Sequence, residues 1–258
     1  MMHIIAIGSQ PPPSNGMSVF FSNFLKSGVT NYIHIDVLDI SDRRGLDSVV
    51  KFDFCNVILA LKHILELLKL MNHSDASIVY MPISQGFWGL LRDACFILIS
   101  IIDNRKVVIH LHGGEFDQFY QSLLLPLRAI CRSLLKRVSA AIVLGDRFRN
   151  IFAGIVNPSK VHVLGNFSET PTIGSLPRSK TKTNIRISSL GTIKARKGVY
   201  DIVLSACRVI KSNPTVKYTI AGPIADSKLY REMKDLIKRS NLEQSISFPG
   251  ALSEVEKY

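Results

Sequence analysis

Two histidines stand at the end of an apolar run, in the segment His110-Leu-His112-Gly-Gly-Glu115. Residues two apart in a strand share one face, so the two imidazoles are expected on the same side of a sheet. The glycines that follow expose the turn, at the strand edge where doubly wound sheets bind ligands. We therefore predict a catalytic His112 with Gly113 as a substrate-binding neighbour, and a structural, hydrogen-bonded His110. A metal site needs further ligands at suitable spacing, and the sequence offers none, so no metal is expected.

A loop rich in proline follows the first apolar run, Gln10-Pro-Pro-Pro-Ser-Asn-Gly16, and leads directly into a helical pattern. Unpaired N–H groups and the positive end of the dipole at a helix start favour a phosphate or a sugar hydroxyl. We predict Asn15 and Gly16 as substrate-binding residues; the alternative is an ordinary loop punctuated by proline and glycine. The dinucleotide fingerprint GxGxxG is absent, which argues against a nicotinamide enzyme.

A second glycine-bounded loop, Gly191-Thr-Ile-Lys-Ala-Arg-Lys-Gly198, links a later strand pattern to a helix. Its cations are suited to a diphosphate, although the P-loop pattern GxxxxGK[ST] is missing. The alternative is a solvated run of charge. The predicted substrate-binding residues of this region are Gly191, Thr192, Lys194, Arg196 and Lys197.

The charge of the chain is strongly positive: 32 Lys and Arg residues against 20 Asp and Glu give a formal net charge of +12 over 258 residues. Such a balance favours anionic partners. Nucleic acid is not expected among them, because no helix-turn-helix, RRM or zinc pattern is present. The four cysteines are widely spaced and lie in apolar stretches, which predicts buried free thiols in a reducing cytoplasm.

One helical pattern could contact a membrane. Arg128, Arg132 and Lys136 repeat at a spacing of four and stack on one helix face, opposite an apolar side. This predicts docking on an anionic membrane surface; the alternative is an ordinary amphipathic surface helix. No secretory signal and no apolar run of about 18 residues is present. A cytoplasmic location is expected, peripheral on the inner face of the cell membrane.

Strand and helix patterns alternate along the chain, and several strands are continuously apolar, as in parallel sheets buried on both faces. The fold class expected is α/β, with two Rossmann-like doubly wound parallel-sheet domains, the second incomplete. The predicted domains are 1–168 on the acceptor side, a linker at 169–184 that breaks the pattern, and a partial nucleotide-sugar-binding domain at 185–258. Predicted strands cover 3–8, 33–38, 77–81, 107–112, 140–144, 161–164, 185–190, 216–221 and 245–248. Predicted helices cover 17–26, 56–71, 87–102, 123–138, 146–152, 198–212 and 227–240.

Taken together, these segments resemble glycosyltransferase family 4, which has the GT-B architecture. The strongest stretch runs from Ile187 to Gly198 and continues through Tyr218-Thr-Ile-Ala-Gly-Pro223 and Ile246-Ser-Phe-Pro-Gly250. The order of these segments is similar to the order strand–GR(x)nKG–helix–strand–AG–helix–strand–G that is typical of the family. His112-Gly-Gly and the segment Val161-His-Val-Leu-Gly-Asn166 are also similar to family elements.

The resemblance implies a retaining, metal-independent hexosyltransferase that uses a nucleotide diphosphate sugar as donor substrate and no cofactor. Its acceptor would be a saccharide, lipid-linked, for a surface polysaccharide. In this scheme Gly16 lies by the donor phosphates, His112 contacts the transferred sugar, Lys197 neutralises the leaving diphosphate and Gly222 starts a loop near the nucleotide.

The sequence departs from the family in two places. Thr192 stands where the family has the arginine that binds the diphosphate, with Lys194 or Arg196 as substitutes. The family's Glu-x7-Glu motif does not occur near the end of the chain, which predicts a truncated second domain and an incomplete donor site. The rival hypothesis is a non-catalytic, acceptor-binding or membrane-recruiting subunit whose partner chain supplies the donor site.

Overall fold

The computed structural model describes residues 1–12, 15–43, 54–167 and 185–252. The chain divides into two compact units, Met1–Thr170 and Pro171–Tyr258. The predicted linker at 169–184 lies outside the described residues, and the predicted domain boundaries stay a prediction. Each unit is described by itself below.

The first unit is built on six parallel strands in the order β2-β1-β3-β4-β5-β6. The strands are β1 (Met2–Gly8), β2 (Ile33–Asp39), β3 (Ile78–Pro82), β4 (Lys106–Leu111), β5 (Ala140–Val143) and β6 (Val161–Val163). Ile5 and Ile7 of β1 and Ile109 of β4 are fully buried, as their continuous apolar runs predict. The strand order reverses direction at β1 and β3, so the loops after these two strands diverge and leave a crevice at the carboxyl edge of the sheet.

Five α-helices connect these strands: α1 (Gly16–Lys26), α2 (Phe54–His73), α3 (Phe87–Ile102), α4 (Phe116–Ser122) and α5 (Leu125–Lys136). Four of them match predicted helical patterns. The two-turn α4 was not predicted, because a segment of seven residues carries too little periodicity and has no side-chain cap. The predicted helix at 146–152 is a 3-10 helix, Asp146–Phe152.

The second unit has a parallel sheet of three strands in the order β7-β8-β9. These strands are β7 (Arg186–Leu190), β8 (Lys217–Ala221) and β9 (Ile246–Gly250), and the helices between them are α6 (Val199–Ser212) and α7 (Ser227–Arg239). Val203, Met233 and Ile220 join the helices and the central strand in a separate core. The edge strand β7 is largely exposed on both faces.

The cysteines only partly follow their prediction. All four are free thiols, but Cys55 is exposed and Cys95 is half-buried, whereas Cys131 and Cys207 are buried. Burial raises the pKa of Cys131 to about 11 because the thiolate is poorly solvated there. The expectation of four buried thiols is therefore wrong for Cys55, which lies near the start of α2 on its outer side.

Candidate functional site

The loop after β1 ends in a well-formed helix start. The Asn15 side chain accepts hydrogen bonds from the backbone N–H groups of Met17 and Ser18, at 3.0 and 3.1 Å. In return, the Asn15 backbone N–H donates to the Ser18 hydroxyl over 2.9 Å. This capping box fixes the direction of α1. It also engages the side-chain oxygen of Asn15, so the side-chain NH2 group is what remains for hydrogen bonding to a substrate.

Gly16 opens α1 and is exposed, and an added Cβ there would meet nothing within 4 Å. The first turn of α1 carries no acidic residue. A ligand can therefore approach the backbone at Gly16 closely, and the positive end of the helix dipole favours a negatively charged group there.

His110 and His112 lie together at the carboxyl end of β4, with ring centroids 3.9 Å apart. His110 is fully buried, and its Nδ1 lies 2.7 Å from the Tyr80 hydroxyl, in agreement with its predicted structural role. His112 is half-buried, and its Nδ1 has no hydrogen-bond partner within the described residues. A buried polar atom without a hydrogen-bond partner destabilises the folded protein. A ligand that forms a hydrogen bond with this nitrogen would therefore regain that free energy on binding.

Both imidazoles are neutral at physiological pH. Burial lowers the pKa of His110 to about 3, and the neighbouring His112 contributes to the decrease. Burial also lowers the pKa of His112, while a hydrogen bond from its ring to the Asn166 side chain acts in the opposite direction. A neutral His112 can donate or accept a hydrogen bond at a sugar hydroxyl, but it does not supply a standing positive charge.

Gln85, in the loop after β3, holds the segment that follows His112. Its Nε2 donates to the His112 backbone oxygen over 3.2 Å, and its Oε1 accepts from the Glu115 backbone N–H over 3.0 Å. Gly113 has a φ of +155°, and a Cβ there would stand 2.3 Å from Gln85 Nε2. Gly113 is thus needed for this close approach, whatever part it has in substrate binding.

A buried carboxylate holds the loop that contains Gln85. Asp93 of α3 is fully buried, accepts from the Ser84 backbone N–H over 2.8 Å and pairs with Arg92 at 2.8 Å. The position of Gln85 therefore depends on the buried carboxylate of Asp93, nearly two helical turns into α3. No motif in the sequence indicated this pair.

Aromatic side chains close the site around His112. Phe20, one turn into α1, packs its ring 4.5 Å from the His112 ring and 5.1 Å from the ring of Phe167. Phe20 thus links the start of α1 to the end of β4, and Phe167 lies next to Asn166. No role was predicted for Gln85, Phe20 or Phe167. Gln85 nevertheless lies in the loop after a buried strand, where ligands bind in sheets of this class.

In the second unit, the loops after β7 and β8 are in close backbone contact. Gly222 has a φ of +147°, and a Cβ there would lie 2.0 Å from the Gly191 backbone oxygen. The Gly191 N–H donates to Ala221 and the Gly222 N–H donates to Gly250, at 2.9 and 2.7 Å. Gly222 is buried and Gly191 is exposed. Packing alone therefore requires a glycine at position 222.

Two cations of the predicted diphosphate loop, Arg196 and Lys197, lie in a short 3-10 helix, Ala195–Lys197, and the third, Lys194, is its N-cap. Arg196 and Lys197 are exposed, whereas Lys194 and Thr192 are half-buried. Gly198 has a φ of +65° and caps α6 without a side-chain hydrogen bond, so the first turn of α6 follows the cations directly. This arrangement brings positive side chains and a helix start together, which suits a phosphate.

The basic residues of α5 are partly used within the protein. Arg128 donates to the backbone oxygens of Gln121 and Leu123 and lies over the Tyr120 ring, while Arg132 donates to Gly154. Lys136 is exposed. None of the described helices is both long and apolar enough to cross a membrane.

One group of side chains in the described residues has the composition of a metal site: His3, His34 and Asp36, whose ligand atoms lie within 4.8 Å of one another. His3 Nε2 is 2.7 Å from Asp36 Oδ2, so a hydrogen bond accounts for this pair. The cluster lies at the amino-terminal part of β1 and β2, away from the carboxyl edge that holds His112.

No protein-family model matches the chain, and no curated protein does. Solved structures do. HepE of Anabaena, in complex with UDP and glucose, has a TM-score of 0.66 at 15% identity, over 100% of this chain and 71% of HepE. The lipopolysaccharide outer core galactosyltransferase WaaB has a TM-score of 0.59 at 13% identity, over 99% and 70% of the two chains. The catalytic domain of starch synthase IV from Arabidopsis thaliana, bound to ADP and acarbose, has 0.65 at 9% identity, over 98% and 74%.

The fold is GT-B. The prediction of two Rossmann-like parallel-sheet units is confirmed, with six strands in the first and three described strands in the second. The GT-B fold is also present in a Listeria monocytogenes protein provisionally assigned as a UDP-N-acetylglucosamine 2-epimerase, with a TM-score of 0.61 at 10% identity. At such identities the similarity establishes the GT-B fold, and the chemistry has to be argued from the site.

Proposed function

We propose that this chain is a glycosyltransferase that moves a sugar from a nucleotide diphosphate sugar to a saccharide acceptor, with retention and without a bound metal. The observation that carries the proposal is His112, a neutral, half-buried imidazole at the ligand-binding edge of a GT-B sheet. Its Nδ1 has no hydrogen-bond partner in the part of the chain that the structure describes. The open first turn of α1 lies beside it through Phe20. GT-B proteins crystallised with UDP, UDP-glucose or ADP support a nucleotide-sugar donor.

The proposed chemistry divides charge and hydrogen bonding between different residues. Breaking the bond between the sugar and the diphosphate leaves negative charge on the diphosphate, and fixed positive groups stabilise this charge. Lys197, with Lys194 or Arg196, and the start of α6 supply such groups in the second unit. The neutral His112 contacts the transferred sugar, and Gly16 gives the donor phosphates room at the start of α1.

The finer parts of the proposal come from the family resemblance: family 4, a hexosyl group, a lipid-linked acceptor for a surface polysaccharide, and work at the cytoplasmic face of a membrane. The acceptor part gains support from the apolar surface described in the next section.

Titration with UDP, GDP and ADP, and with their sugar conjugates, tests the proposal directly, with nucleotide release followed in the presence of acceptor lipids. Gly16→Ala is the sharpest variant, because the added methyl group finds open space and the chain should stay folded. We expect donor affinity to fall by about tenfold, as a methyl group displaces a phosphate from the helix start. Gly28→Ala, at another glycine with open surroundings, is the matched control.

Lys197→Ala tests the diphosphate contact in the second unit. Loss of a charge-assisted hydrogen bond should weaken nucleotide diphosphate binding by about tenfold or more. Lys211→Ala, in the last turn of the following helix α6, should leave it unchanged. Equal affinities for the two variants would remove Lys197 from the site. Acceptor binding without donor binding would instead favour the acceptor-binding subunit, whose partner chain supplies the donor site.

A further inference from the structure

Helices α2 and α3 contact each other, and both present large apolar side chains to solvent. We call this surface the α2–α3 face, and its members are Val57, Ile58, Leu61, Leu65 and Leu68 of α2 and Phe87, Leu91, Leu98 and Ile102 of α3. Single exposed apolar residues are common on proteins, but contiguous groups of this size mark an interaction surface.

The exposed stripe on α2 is separate from the stripe that packs into the core. Leu67 and Met71 are buried, whereas Leu61 and Leu65, on another side of the helix, are 56% and 58% exposed. The members on α2 recur at spacings of three and four residues, which places them in one line. A helix that is apolar on two sides is ordinarily covered on both.

The face continues across a third helix. A groove of about 250 Å³ between α2 and α3 is lined by Leu61, Ile64 and Leu91 among others. A smaller groove between α3 and α5 is also lined by Leu91, together with Leu127 and Ile130. Since Leu91 borders both grooves, the apolar surface extends without a break from α2 to α5. Ile130 is 57% exposed.

The charges on these helices are mostly positive. Helices α2, α3 and α5 together contain six Lys or Arg residues and two acidic residues, Glu66 and Asp93, of which Asp93 is fully buried. Lys62 and Lys69 lie along one side of the exposed stripe of α2, and Lys62 pairs with Glu66 at 3.7 Å. An apolar surface with a cationic border matches a layer of acyl chains beneath anionic head groups.

We propose that the α2–α3 face docks the chain on an anionic lipid bilayer, with its apolar side chains among the acyl chains and Lys62 and Lys69 at the head groups. This moves the membrane contact away from the predicted stripe on α5, where Arg128 and Arg132 bind backbone oxygens of the protein itself. The bilayer is chosen over a protein partner because the surface combines a broad apolar area with charges that are mostly positive.

Docking would also present the candidate site to the membrane. Phe87, at the start of α3, is two residues from Gln85, which binds the backbone of His112. The docked face thus ends next to the loop that shapes the site. This step rests on the proposed function, and it implies an acceptor whose lipid portion stays in the bilayer while its saccharide reaches His112.

Co-sedimentation with vesicles of phosphatidylcholine alone, or mixed equally with phosphatidylglycerol, tests the proposal on the chain as it is. We expect binding to the mixed vesicles that weakens with added salt. Leu61→Gln combined with Leu65→Gln should weaken it by at least tenfold, since both side chains leave the acyl region. The matched control is Val209→Gln with Ile224→Gln, which changes two exposed apolar residues of the second unit.

The charge contribution has its own pair of variants. Lys62→Gln and Lys69→Gln should each weaken binding by about fivefold, the factor that corresponds to about 1 kcal/mol for a cation near an anionic surface. Lys211→Gln and Lys228→Gln in the second unit are the controls. Circular dichroism verifies that each variant is folded.

Several outcomes would overturn the proposal. One is that the chain stays in the supernatant with both vesicle types. Another is that the Leu61/Leu65 variant binds the vesicles as well as the parent chain does. Equal binding to neutral and mixed vesicles would remove the anionic preference. A dimer that the Leu61/Leu65 variant dissociates, with no vesicle binding, would assign the face to a second copy. Nucleotide binding, measured on the same samples without vesicles, reports separately on the proposed function.

Discussion

The amide of Gln85 lies within 3.2 Å of the His112 backbone oxygen and so connects the loops after two neighbouring strands. A second hydrogen bond, from Glu115 to the same amide, closes the segment 112–115 into a fixed turn. The orientation of the imidazole therefore depends on a residue of the preceding strand–helix loop, and behind that on the buried Asp93. Preorganisation of this kind reduces the entropy that a site loses when a ligand binds.

Gln85→Ala should release this turn. Two hydrogen bonds disappear, each contributing about 1 kcal/mol, and the His112 segment becomes mobile. We expect a lower thermal midpoint and a donor affinity reduced by about fivefold or more. Gln121→Ala, which removes an exposed amide that donates to Asp117, is the control and should change neither quantity. A variant with unaltered donor affinity would show that the turn does not shape the site.

Substitutions at Asn15 separate helix capping from substrate binding. Asn15→Ala removes the cap of α1 and should cost about 1 kcal/mol in free energy of unfolding, measured by urea titration. Asn15→Ser preserves a capping oxygen and should retain most of that stability. If the amide also binds substrate, donor affinity falls in both variants. Full affinity in the serine variant would limit Asn15 to capping.

Gly222→Ala should strongly destabilise the second unit. The added methyl group would lie 2.0 Å from the Gly191 oxygen, and the backbone at position 222 has a φ of +147°, so both strand ends must move. We expect a loss of about 3 kcal/mol or more. Gly250→Ala has a positive φ of +86° but no neighbour within 4 Å, so it should cost about 1 kcal/mol. Hydrogen exchange in α6 and α7 distinguishes the two; similar protection would contradict the clash.

Acid should destabilise the first unit through its buried histidines. Because burial holds the pKa of His110 near 3 in the folded chain, against about 6.5 when unfolded, the unfolded chain binds the extra proton between these values. Stability contributed by the neutral ring is complete above pH 6.5 and decreases as the pH falls towards 3, by at most about 1.4 kcal/mol per pH unit.

His110→Gln retains a group that can bond to Tyr80 and cannot be protonated in this range. Its thermal midpoint should therefore fall less steeply between pH 7 and pH 4 than that of the parent chain. His162→Gln, at an exposed position in β6, should leave the slope as it was. Parallel slopes for all three proteins would show that His110 does not govern acid stability.

Local patterns predicted the elements of this fold well. The bounds of α3 agree with its apolar pattern, and all nine described strands were predicted to within two residues at each end. Continuous apolar runs such as that of β1 are informative because only a strand covered on both faces needs them. The 3-10 helices and α4 could not be predicted from the sequence, because contacts rather than periodicity determine such short elements.

The site was harder to predict than the fold. Strand-edge reasoning predicted roles for His112 and Gly113, and the family resemblance predicted one for Gly222. Neither could show that Gly113 and Gly222 are needed for packing. Gln85, Asp93 and Phe20 act through contacts between loops distant in sequence, and a single sequence does not reveal such pairings. The exposed apolar side of α2 could not be predicted either, because periodicity does not indicate which of two apolar sides of a helix faces the core.

The exposure of the edge strand β7 has a practical consequence. Its outer edge presents a row of backbone donors and acceptors, and both of its faces are mostly bare, with Ile187 and Leu190 among the exposed side chains. Such an edge is a template for another strand, so concentrated solutions should tend towards intermolecular β pairing and fibrillar aggregates. A charged replacement such as Ile187→Lys would be a simple solubilising change for crystallisation.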